Sequence, residues 1–214
     1  MAEVVPLLVA VLWGLVGVGV GVLVRVASVW LARGEELPAG RRPWQAYGPV
    51  VLTALLFAVF GWRLGAVPML VVRSLWVAVL VQVIFFDLEH QLILDRVLLP
   101  AGVAALLLSL VTPGLGPVTA ILTGLVTGLV FLAIAALGAI VFKAEAMGLG
   151  DVKLSVFIGL VLGPRPTFDA VVVGLIVAGV VALALVLARV RTMRDSIPYG
   201  PFLAGGALLL LYTL

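Results

Sequence analysis

The chain has 214 residues, 64% of them hydrophobic and 11% charged, with a mean hydropathy of +1.36 and a formal net charge of +3. Soluble domains carry charge on about a quarter of their residues. This composition therefore excludes an aqueous globular fold and predicts an all-α polytopic membrane protein, with about eight transmembrane helices and short loops. The absence of cysteine excludes disulfides, thiolate catalysis and a cysteine zinc site, and the scattered basic residues orient the chain in a bilayer rather than bind nucleic acid.

Taken in order, apolar runs predict spans near 5–32, 47–62, 66–86, 97–112, 117–142, 151–163, 168–188 and 199–214. Turn residues punctuate them: Gly65 and Pro68, Pro113 and Gly114, Pro164 and Pro166, Pro198 and Gly200. The first run lacks a basic n-region and an A-x-A site, so it reads as a retained span. Gly17 with Gly21, and Gly124 with Gly128, form small-xxx-small pairs suited to close helix packing inside the molecule. Residues 33–46 (RGEELPAGRRPWQA) form the one hydrophilic connection, a short loop within a single membrane-embedded domain covering 1–214. Arg73 lies inside the third run and must snorkel or pair.

Charge sets the expected orientation. The connections after the first, third, fifth and seventh runs hold Arg33, Arg41, Arg42, Arg96, Lys143, Lys153, Arg189, Arg191 and Arg194, against Arg63 and Arg165 in the others. The positive-inside rule then places the first group in the cytoplasm and both termini outside. Asp87 and Asp151 are separated by two crossings, so both carboxylates fall on the cytoplasmic face.

These two aspartates carry the chemistry. Asp151 stands in the polar interruption MGLGDVKL (147–154), between Gly148 and Gly150, whose glycines let the chain break and open a new helix. Asp87 ends the third run, in VIFFDLEHQLILDRVLLP. An ionisable group at the edge of hydrocarbon is costly and marks function. Paired carboxylic acids share a proton, so the ionised one can activate water while the neutral one polarises a carbonyl and protonates the leaving amine. The helix N-terminus favours the carboxylate at Asp151, the base, and leaves Asp87 as the acid. Asp95 is the rival first acid but reads as a helix N-cap. His90, a single imidazole with Glu89 beside it, is too thin a set for a metal site. Lys153 serves the orientation rule or steadies the Asp151 carboxylate.

GLGDVKL (148–154) followed by GLVLG, FFDLEHQLILDRVLLP (85–100), IPYGPFLAGGA (197–207) and TALLFAVFGWRLG (53–65) together resemble the type IV prepilin peptidases, the GxGD-type aspartic membrane proteases. The likeness covers nearly the whole chain in the right order. It implies that Asp87 and Asp151 are the catalytic aspartates. It also implies that the substrate is a type IV prepilin or pseudopilin precursor, cut after the glycine of a short basic leader at the cytoplasmic face of a bacterial inner membrane. Glu89, Asp95 and Glu145 would suit such a leader electrostatically. The family's loop with two CxxC pairs is absent, Leu94 stands where Pro is usual, and Val50 falls near a common Glu. Peptide cleavage calls for no cofactor; S-adenosylmethionine enters only if the family's N-methyltransferase activity is retained. The alternatives are a presenilin-like GxGD protease, though no PAL element is present, a transporter or proton channel using both aspartates as a relay, and a non-catalytic secretion scaffold. Oligomeric state is not encoded in these motifs.

Overall fold

The computed structural model describes residues 4–38, 40, 42–142, 148–190 and 198–214. Within them the chain forms eight helices and no strand: α1 Val4–Gly34, α2 Pro43–Leu64, α3 Pro68–His90, α4 Asp95–Leu108, α5 Pro117–Phe142, α6 Leu149–Leu162, α7 Pro164–Leu187 and α8 Gly200–Thr213. All eight apolar runs are helical. Five of them, α1, α2, α3, α5 and α7, are long and apolar enough to cross a membrane. The other three have 14 residues each, about 21 Å of helix against a hydrocarbon layer of about 30 Å. The protein is thus a multi-pass membrane protein in which three helices fall short of full-span length.

Two boundaries differ from the sequence expectation, each through turn chemistry. Pro164 opens α7 at its first helical position instead of lying in the break before it, because a missing N–H costs nothing there. α3 runs on to His90, and Gln91 takes the left-handed conformation (φ 52°) that ends it. Asp87 therefore sits within the last turn of α3.

The chain divides into two compact units, 1–91 and 92–214. In the first, α1 and α2 make the principal packing contact. A Cβ at Gly17 would stand 2.8 Å from Phe57 Cβ and 2.9 Å from Ala54 Cα, and one at Gly21 would stand 2.5 Å from Val50 Cα. The glycine pair thus brings the α1 and α2 backbones into contact, which suits association in lipid, where dispersion replaces the hydrophobic drive. Trp13 links α1 to α3 by donating its indole N–H to Ser74 Oγ at 2.7 Å.

In the second unit α6 packs against α4, α5, α7 and α8. It buries Leu154, Ser155, Phe157, Ile158 and Gly159. Gly159 meets Gly124: a Cβ on Gly159 would lie 2.8 Å from the Gly124 backbone. Gly159→Ala is expected to wedge α5 from α6 and lower the unfolding midpoint in detergent, by about 1–3 kcal/mol of overpacking. Gly179 on α7 has nothing within 4 Å of its Cβ position. There Ala replaces a flexible helix residue, so Gly179→Ala should leave the midpoint unchanged or raise it. Equal losses in the two variants would refute the packing account.

Candidate active site

Asp87 lies in the first unit and Asp151 in the second. Asp87 is 4% exposed, in a turn whose other faces carry Phe86 and Ile84, both buried. Its backbone carbonyl accepts the Gln91 N–H that closes α3, at 2.8 Å.

Asp151 is 8% exposed and occupies the first turn of α6, outside the five membrane-length helices. Its N–H donates to Gly148 O at 3.1 Å. Burial pushes its carboxyl up from 3.8 to about 6, against a backbone hydrogen bond from Gly148 that favours the charged form. Desolvation therefore outweighs the helix start, on which the sequence argument had relied. At neutral pH the group is still mainly ionised.

The two motif glycines act differently from the expectation. Gly148, the N-cap, has φ −73° and ψ 149°, an extended conformation open to any residue. Gly150 is small because of its neighbour: a Cβ there would lie 3.0 Å from Ile93 Cβ. Close approach, not a sharp turn, is what this glycine supplies, while the new helix does begin here as expected.

Lys153 reaches across to Asp95, with Nζ 2.7 and 2.8 Å from the two carboxylate oxygens. Asp95 is the first residue of α4, and Leu94 is its N-cap without a side-chain cap bond. The expected N-cap role of Asp95 is thus replaced by an ion pair joining the starts of α4 and α6. Both partners are about half exposed (47% and 52%), so the pair adds little stability.

Glu89 is also engaged. Its Oε2 stands 3.3 Å from Arg25 Nη1, with side chains only 17% (Arg25) and 6% (Glu89) exposed. Its Oε1 accepts the Gly40 N–H and lies 3.4 Å from His90 Nε2. His90 in turn packs on Phe86, with ring centroids 4.7 Å apart. Of the acids expected to meet a basic leader, Glu89 and Asp95 already hold cations, and Glu145 lies outside the described residues. So do Arg41, Lys143, Arg191 and Arg194 of the orientation argument. Arg25 escaped the sequence reading although the signal was there: an arginine inside an apolar run requires a partner.

An all-helical membrane protein with carboxylates buried at helix termini is the class that emerges. The chain matches the model of the type IV leader peptidase family over residues 74–187, which include Asp87 and Asp151, and it belongs to that family. It is a peptidase. It is 30% identical over 191 residues to a prepilin leader peptidase/N-methyltransferase of Bacillus subtilis (strain 168), covering 87% of this chain and 74% of the relative. It is 30% identical over 155 residues to a protein of the same name from Aeromonas salmonicida (strain A449), covering 72% of this chain. It spans about half, 53%, of that longer relative. No solved structure matches the chain significantly.

Proposed function

We propose that the protein removes the short basic leader from type IV prepilin or pseudopilin precursors, at the cytoplasmic face of a bacterial inner membrane, using Asp87 and Asp151 as an aspartic dyad. The observation that carries this is the family match, whose span contains both acids; their burial at helix ends supports it. Ionised Asp151 takes a proton from water, and the water oxygen attacks the carbonyl carbon of the scissile bond. Protonated Asp87 donates a hydrogen bond to the carbonyl oxygen and then delivers its proton to the departing amine. The two acids titrate as a pair. The charge bias of the loops supports the cytoplasmic orientation, with both termini outside. The two units act together as one membrane-embedded peptidase.

The relatives' names also include N-methyltransferase. The groove of about 400 Å³ between α5 and α7 is lined by Leu122, Val126, Val130, Phe131, Phe168 and other apolar groups. Its Thr123 and Thr127 hydroxyls donate to backbone carbonyls of their own helix. Such a lining does not fit the sulfonium and adenosine of S-adenosylmethionine.

The test is processing in proteoliposomes. Purified protein is mixed with a membrane-anchored precursor carrying a short basic leader ending in glycine, and the product mass is read by mass spectrometry. Cleavage after that glycine is the expected result; an uncut precursor beside folded protein would end the assignment.

A further inference from the structure

In the first unit, two charged side chains grip a single residue's backbone. Arg25 lies inside α1, about two and a half turns before its end, where an unpaired guanidinium would be costly. Arg25 Nη1 pairs with Glu89, and Arg25 Nη2 donates to Gly40 O. Glu89 Oε1 accepts the Gly40 N–H. Both polar groups of Gly40 are thereby held by one ion pair. The approach is close enough that a Cβ on Gly40 would run into Gln45 and Glu89 Oε1. The chain reaches this point by turning back: Glu36 is left-handed (φ 57°), and the Leu37 N–H donates to Ala32 O at 2.8 Å, a Schellman-type helix end. Glu89 shares its helical turn with Asp87.

We propose that Arg25 and Glu89 are positioning residues for leader cleavage, seating Gly40 on the last turn of α3 and so fixing the Asp87 carboxylate. This rests on the assignment of Asp87 to the dyad. Neither residue touches substrate; both act through the backbone that carries the acid. The loop, which has no catalytic group of its own, becomes a structural brace for the active site. A carboxylate is needed at residue 89 because it must answer a cation and a backbone donor at once, which a neutral amide does poorly.

The chain contains no cysteine, so Leu37→Cys gives a single thiol in the loop for maleimide labelling in detergent. In that background Glu89→Gln is expected to speed labelling about fivefold or more as the loop is released. The same change should cut kcat on the order of tenfold through misplacement of Asp87, with KM within about twofold. Arg25→Lys, which keeps the charge but lacks the planar fork that reaches Glu89 and Gly40 together, should retain part of kcat. Faster labelling with unchanged kcat would overturn the positioning role, as would unchanged labelling. A parent protein that leaves the precursor uncut would sink the peptidase assignment instead. Labelling, which needs no substrate, tells the two failures apart.

Discussion

Asp151→Asn should lower precursor cleavage by about a thousandfold or more, the scale on which a general base is missed, while leaving the protein at least as stable as its parent at neutral pH. The two halves of that result have one cause. The carboxylate is 8% exposed, and burial has pushed its titration up to about 6. Holding it ionised at pH 7 therefore costs the fold something. Asparagine keeps the shape and removes the charge, so the midpoint of unfolding in detergent should hold or rise. An aspartate retained for structure would behave oppositely, losing stability with its charge. Asp87→Asn should lose activity on the same scale, and the double variant should be little worse than either single one, since paired acids act as a unit. Full cleavage by folded Asp151→Asn would break the dyad.

Much of this was legible in the chain. Apolar runs report helices well because hydrocarbon leaves the backbone no other way to satisfy its hydrogen bonds, and all eight runs are helices. GLGD was legible as a helix start, since a polar break between apolar runs has few other uses. The reason for its glycine was not: Gly150 is fitted to Ile93, a contact no local pattern encodes. Arg25 and Glu89 are 64 positions apart, so their pairing follows from how α1 packs against α3. Asp95 was misjudged because local capping rules cannot anticipate Lys153, 58 positions on. The electrostatics of Asp151 turned for a similar reason. A helix N-terminus is visible in sequence, whereas the burial of the carboxylate in its first turn is a tertiary fact.

Lowering the pH should move activity and stability in opposite directions, and both through Asp151. Its carboxyl titrates at about 6 in the folded protein and near 3.8 when unperturbed. As the base, it works only ionised. The ionised fraction is about one tenth at pH 5 and one hundredth at pH 4, so kcat/KM should fall about tenfold per unit on the acid side. For stability the sign reverses. A folded-state value raised above the unfolded one means that the folded protein binds the proton over the window from 6 down to 3.8. Folding therefore gains stability as pH falls through that window and levels off below it. The unfolding midpoint of the parent should approach that of Asp151→Asn as the solution is acidified, because protonation and amidation remove the same buried charge. The measurement is paired: a pH–rate profile on the parent, and thermal unfolding of parent and variant at each pH. An acid limb near the ordinary carboxyl value, with a midpoint difference independent of pH, would mean that the buried Asp151 is neither the base nor a strained charge. A limb near 6 together with converging midpoints would tie the catalytic proton to the residue whose burial the α6 packing enforces.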